Sequence, residues 1–271
     1  MKKSVKRIIS LTLTLTLGLG LAGCKLSKSS VEDNVITIGV SPEPHKKIVE
    51  NAIKPVLEKE GYKVEVVEFT DYVLPNKALA EGEIDANYFQ HIPYLETTVE
   101  QSGYDLTYTA KVHLEPMGIY SNKIKNLKDL KDGAEIAVPN DPSNGARALK
   151  ILAAEELIEV PESDLITAKD ITSNPKNLKI TEVDAEQLPR VLSDVEAAVI
   201  NTNYALEGGL NPLKDALAIE GNDSPYANII AVRTADKDSE KIQALTKAAT
   251  SDEVRKYIEE RYEGGSIIPS F

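Results

Sequence analysis

Tryptophan is absent from the 271 residues; cysteine occurs once, methionine twice, and phenylalanine and histidine three times each. Each scarcity excludes something. A single cysteine closes no disulfide within the chain, and three histidines leave little for a metal centre, which usually gathers several His, Cys or acidic ligands. Basic residues are outnumbered, with a formal net charge of −12. That balance argues against nucleic acid, whose affinity comes from neutralising phosphates. No GxSxG, HExxH or GxxxxGK[ST] occurs, so no serine nucleophile elbow, zincin helix or P-loop is signalled. The many acids read as solvated helix faces, and a hydrolase built on a carboxylate pair has no positive support.

The first thirty residues carry a basic region, Lys2, Lys3, Lys6 and Arg7, and then an uncharged stretch over 8–21. That stretch is too short to span a bilayer, which takes roughly 20 apolar residues, and reads as a secretory signal. It ends in Leu21-Ala22-Gly23-Cys24, which looks like a bacterial lipobox. Cys24 is then the lipidated first residue of the mature chain, and several acyl chains anchor it without spanning the membrane. Loss of 1–23 takes the net charge to −16. Residues 24–34 form a short polar tether.

The body alternates between two periodicities. Short β-branched runs predict strands over 35–40, 62–69, 84–88, 135–138, 178–183, 197–200 and 227–233, the last of the chain. Helical patterns fall between them, over 46–60, 72–81, 92–101, 143–157, 185–192 and 203–207, and two helices, 239–249 and 252–261, close the chain. This alternation means βαβ units and largely parallel sheet. One wide sheet and two lobes are both compatible with it. The extended run over 106–120 favours two lobes, because it exceeds an ordinary strand of about 5–6 residues.

Four segments stand out. "ANYFQHIPYL", 86–95, concentrates Tyr88, Phe89, His91 and Tyr94 in a chain poor in rings. Core packing with polar tips and a pocket wall are both open readings. "IAVPNDPSNGARALK" joins a strand to a helix with Asp141 as cap, Pro142 in the first turn, Gly145 where a backbone or ligand could approach, and Arg147 as a fork for a carboxylate. A capped helix with a surface Arg is the plain alternative. "VINTNYALEGGL" places Asn201, Thr202 and Asn203 after a buried strand, where ligands of open α/β sheets sit, or where they merely cap a helix. "KVHLEPMGIYS" puts His113 and Glu115 on one face of an extended chain, with His91 as a third metal ligand and His45 apart.

Together "ANYFQHIPYL", "HLEPMGIYS", "IAVPNDPSNGARAL", "NTNYAL" and the lipobox resemble, in order over nearly the whole mature chain, the methionine-binding lipoproteins of the NlpA or MetQ type. The resemblance implies an α/β, two-lobed periplasmic-binding-protein-like fold of type II-like form, each lobe a mixed, mostly parallel sheet flanked by helices. Residues 35–117 plus 228–271 would form the first lobe and 118–227 the second. It implies a monomer that captures methionine, read as L-methionine, in the interlobe cleft and delivers it to an ABC permease and its ATPase. Cofactor, metal and catalysis are not expected. Arg147 corresponds to the carboxylate partner, and Asn203 and Asn228 to the residues bracketing the charged end. Phe69, Tyr72, Phe89, His91 and Tyr94 correspond to the thioether slot, with His113 and Asn144 at the cleft edge. D-methionine, a methionine dipeptide, a non-transport surface lipoprotein and an enzyme on the same fold are the alternatives.

Overall fold

A computed structural model describes residues 34–221 and 223–271. The leader over 1–23, Cys24 and the tether up to residue 33 lie outside the described residues. Among the described residues no helix is long and apolar enough to cross a membrane.

The chain begins with β1 (Val35–Val40), a wide-turned helical segment over Val49–Ile53 that continues as α1 (Lys54–Lys59), and β2 (Lys63–Glu68). Next come α2 (Leu74–Ala80), β3 (Ala86–Tyr88), α3 (Ile92–Ser102) and β4 (Leu106–Leu114). Beyond Glu115, Pro116 and Met117 the chain enters a second sheet with β5 (Gly118–Tyr120), β6 (Glu135–Pro139), α4 (Pro142–Ala154) and β7 (Lys179–Val183). That sheet continues through α5 (Leu188–Val191), β8 (Ala197–Ile200), α6 (Thr202–Glu207), α7 (Pro212–Asp215) and β9 (Ala216–Ile219). After 220–226 the chain returns to the first sheet as β10 (Ala227–Arg233), then α8 (Glu240–Ala249), α9 (Asp252–Arg261) and β11 (Ile268–Pro269).

The first sheet runs β11-β4-β10-β3-β1-β2 and the second β7-β6-β8-β5-β9. Each is mixed: β2, β1 and β3 pair in parallel in one, and β7, β6 and β8 in the other. All remaining pairings are antiparallel, five against four parallel. The parallel share is thus smaller than the alternation suggested. The difference lies in β4, β5 and β10, strands that connect the two lobes instead of belonging to βαβ units. The long extended run is two strands, β4 and β5, one in each sheet. Two strands had no expectation: β9, an apolar run of only four residues, and β11, which pairs Ile268 with Leu114 and Pro269 with His113.

Apolar alternation explains the cores. Ile36, Ile38 and Val40 of β1 meet Ile230 and Val232 of β10 and the buried sides of α8 and α9, Leu245 and Ile258. In the second lobe Ile136 and Val138 pack with Val199 against Leu149 and Leu152 of α4. The central strands β3 and β8 are buried throughout, as strands covered on both faces are.

Local chemistry sets where α4 begins. Asp141 is its N-cap, accepting the Asn144 amide at 2.8 Å, and Pro142 occupies the first turn. Three residues on, Gly145 lets the helix lie against β6: a Cβ there would sit 3.0 Å from the Pro139 carbonyl oxygen. Replacing an interior helical Gly with Ala ordinarily gains about 1 kcal/mol. At this position a backbone oxygen blocks the methyl, so Gly145→Ala should give no gain in denaturant unfolding. A full gain of that size would show that the contact between α4 and β6 is loose.

Candidate functional site

Between the two sheets lies a pocket with about 330 Å³ of space free of protein atoms, counting the part that opens to solvent. Its walls divide by chemistry. Rings come from the first lobe: Tyr72, Phe89, His91 and Tyr94. Tyr72 and Tyr94 each lie 5.8–5.9 Å from Phe89 between centroids, in tilted and edge-to-face contact. Amides and an arginine come mainly from the second: Asn144, Arg147, Asn201 and Asn203, with Asn228 on the returning strand.

The ring wall is held from behind. Asn76, Asn87 and Gln90 are all buried. The Asn76 amide donates to Gln90 Oε1 at 2.8 Å, and Gln90 donates to Asn87 Oδ1 at 2.9 Å. Asn87 in turn donates to the Pro75 carbonyl at 3.2 Å, so α2 is tied to the strand end that carries Phe89 and His91. His91 caps α3, its Nδ1 accepting the Tyr94 amide at 3.1 Å, and its Nε2–H reaches across the cleft to Asn144 Oδ1 at 3.0 Å. Tyr72 donates to Asn203 Oδ1 at 2.6 Å, and Tyr204 to the Thr70 carbonyl at 3.3 Å. These three side-chain bonds cross the ring side of the cleft.

Arg147 stands on the second helical turn of α4 and is almost fully buried. Its Nη2 donates to the Glu115 carbonyl at 2.7 Å, its Nε to Glu220 Oε1 at 3.1 Å, and Nη2 also to Glu220 Oε2. The Tyr226 ring lies over the guanidinium, 4.3 Å from Cζ. Beside Arg147 stands Glu115, 6% exposed and the one carboxylate among the lining residues. Its Oε1 accepts His113 Nε2–H at 2.7 Å with His45 Nε2 at 3.2 Å, and its Oε2 accepts the Asn203 amide at 3.1 Å. Burial pushes the Glu115 carboxyl upward, offset in part by the neighbouring His45 imidazole, the Arg147 charge and the Asn203 amide.

Burial also holds the histidines neutral: His45 is lowered to about 4, and His91 and His113 to about 3. Arg147 adds to the effect on His91. Two buried amide atoms on the wall, Asn201 Oδ1 and Asn203 Nδ2, have no hydrogen-bond partner among the described residues. Such atoms are uncommon in native proteins, and these two, an acceptor and a donor, belong to residues that line the cavity. The site thus offers rings, amides of both polarities and one charge of each sign. It has no activated nucleophile among its lining residues.

A family model described as NlpA lipoprotein matches residues 36–271. The chain belongs to the NlpA lipoprotein family. A D-methionine-binding lipoprotein MetQ of Salmonella typhi is 46% identical over 251 residues, 91% of this chain and 92% of that protein. The solved nutrient binding protein of Burkholderia cenocepacia bound to methionine superposes with a TM-score of 0.84 at 49% identity, over 87% of this chain and 100% of the other. The methionine binding protein MetQ gives 0.85 at 42% identity, over 88% and 99%. NlpA lipoproteins are substrate-binding proteins and not enzymes, and the periplasmic-binding-protein-like fold is theirs.

In this NlpA lipoprotein eight of the ten anticipated site residues line the cavity: Tyr72, Phe89, His91, Tyr94, Asn144, Arg147, Asn203 and Asn228. Phe69 and His113 do not. The Phe69 ring packs under Gly39 of β1, 2.9 Å from where a Cβ would be, and backs the wall without forming it. His113 is wholly buried behind Glu115, its Nδ1 receiving the Tyr88 hydroxyl. Four further residues line the cavity: Asn201 and Thr202, from the segment where a ligand position was one of two open readings, Glu115, weighed only as a metal partner, and Gln90, which had no such reading. Each stood in a quoted motif beside an anticipated neighbour, and that adjacency was the available signal.

The metal grouping also changes. His45 joins His113 and Glu115, with ligand atoms within 4.8 Å of one another, whereas His91 points to Asn144 instead. Ser41 Oγ, 2.6 Å from His45 Nδ1, and Tyr88 OH on His113 Nδ1 leave each imidazole with its Nε2–H to donate. His45 gives that proton to Asn228 Oδ1 at 3.0 Å and His113 gives its own to Glu115. Hydrogen bonding alone therefore accounts for the cluster. All three imidazoles should stay neutral in the folded protein between pH 8 and pH 5, giving ring resonances that do not titrate in NMR. A midpoint near the ordinary value of about 6.5 for any of them would show that ring to be solvated.

Proposed function

We propose that this protein binds methionine as the free amino acid in the interlobe cavity. In this reading it is anchored through Cys24 on the extracytoplasmic face of the cell membrane and passes its ligand, as a monomer, to an ABC permease and its ATPase. The observation that carries the reading is the division of the cavity wall. An uncharged ring slot of Tyr72, Phe89 and Tyr94 faces Arg147, Glu115 and amides that lack partners. Sulfur against ring edges is worth about 0.3–1.5 kcal/mol per contact, which suits a thioether. A carboxylate and an ammonium suit the other end. The names of the relatives and the methionine in the Burkholderia cenocepacia structure support the same ligand. L-methionine is our reading of the enantiomer, and the D-methionine in the relatives' names makes it the competing arm.

Calorimetry on chain that has been unfolded and refolded to strip carried ligand tests this with L-methionine, D-methionine, glycyl-methionine and alanine. Methionine should bind, and at 100 times its Kd it should add about 2.7 kcal/mol to stability. Arg147→Ala should weaken it about 10- to 100-fold, the worth of a charge-assisted hydrogen bond. Phe89→Ala should weaken methionine more than alanine. Tighter binding of D-methionine or glycyl-methionine would rename the ligand. No binding of any of them by a cooperatively folded sample would leave a surface lipoprotein without uptake.

A further inference from the structure

The two charges on the cavity wall are unequal in what already faces them. Arg147 has its own counter-ion, because Glu220 takes both Nε and Nη2, and Nη2 also serves the Glu115 carbonyl. With Tyr226 across its face, only Nη1 makes no hydrogen bond among the described residues. A two-pronged grip on a ligand carboxylate is therefore closed off, since a guanidinium needs two free nitrogens on one edge for it. Glu115 is in the opposite position. The groups bonded to its side chain are His113 and the Asn203 amide, with His45 beside them, and burial keeps both rings uncharged. Arg147 binds this residue through its backbone carbonyl.

Arg147 and Glu220 offset each other, so an ionised Glu115 is left without a cation paired to its carboxylate. Each carboxylate oxygen accepts about two hydrogen bonds, and Oε2 holds one, from Asn203. Asn201 Oδ1, buried and without a partner, is a second acceptor on the same wall. A buried charge that meets no opposite charge is costly, and adding a like one more so.

We infer that the cavity selects its amino acid chiefly by the α-ammonium, with Glu115 as the specificity-determining acceptor, and that Glu220 reduces Arg147 to a single-nitrogen contact for the carboxylate. This rests on the binding of a free amino acid proposed above, and it adds which end of that ligand dominates. N-acylated methionine and methionine stripped of its amine belong to the excluded class.

Calorimetry with two half-ligands decides it: 3-(methylthio)propylamine, which keeps the ammonium alone, and 4-(methylthio)butanoate, which keeps the carboxylate alone. On the unaltered chain the amine should bind at least about 10-fold tighter than the butanoate. Glu115→Gln should weaken methionine and the amine by about 10- to 100-fold and leave the butanoate unchanged or improved. Glu220→Gln should strengthen the butanoate, a change that a merely structural role for Glu220 would not produce. Should either variant fail to fold, the two half-ligands on the unaltered chain still decide. Butanoate binding as well as the amine, on a chain that binds methionine, would overturn this inference alone. Failure of methionine itself to bind would overturn the functional reading and this inference with it.

Discussion

A carboxylate taken out of water must find its partners inside the protein, and Glu115 sits where the chain leaves one sheet for the other. Moving such an ion inside costs several kcal/mol even after relaxation. Its partners come from both sides of the cleft. His113 of β4 bonds one oxygen with His45 alongside, and the first residues of α6 present the Asn203 amide to the other. The lobes can satisfy this group fully only in one relative position. That position is the closed one, and the cavity is the space left over when it is reached.

Closure otherwise rests on little. Tyr72 to Asn203, His91 to Asn144 and Tyr204 to Thr70 are the side-chain bonds that span the ring side of the cleft. Each is worth about 0.5–1.5 kcal/mol net, because water replaces it when the cleft opens. An equilibrium so near balance is tipped by a ligand that touches both walls, which is the energetics of hinge closure. The walls themselves are braced by the Asn76–Asn87–Gln90 cluster behind the rings and by the Glu220–Arg147 pair beside the amides.

How much of this could be read without coordinates follows from the range of each interaction. Strand and helix positions were legible because periodicity is local, down to β1, β8 and β10 at their observed bounds. Asp141, Pro142 and Gly145 announced the start of α4 for the same reason. The ring-rich stretch proved to be both things at once, with Tyr88 buried in the core of the first lobe and Phe89, His91 and Tyr94 on the cavity wall. Strand direction was not legible, since β10 pairs with β4 across more than a hundred residues and nothing in either strand says so. Beside His113, Glu115 offers locally only a metal-ligand reading, which the scarcity of histidine argues against, because its bond to the amide of Asn203, 88 residues on, has no local trace. Glu220, 73 residues from Arg147, was invisible in the same way.

The central claim is that methionine draws the two lobes together around this cavity. Small-angle X-ray scattering measures it directly, on chain refolded to remove carried ligand, with and without saturating L-methionine. A radius of gyration that falls on adding methionine, and stays constant on adding alanine, is the predicted result. An unchanged radius at a methionine concentration that saturates binding would contradict the account, because the ligand would then occupy a cleft that it does not close.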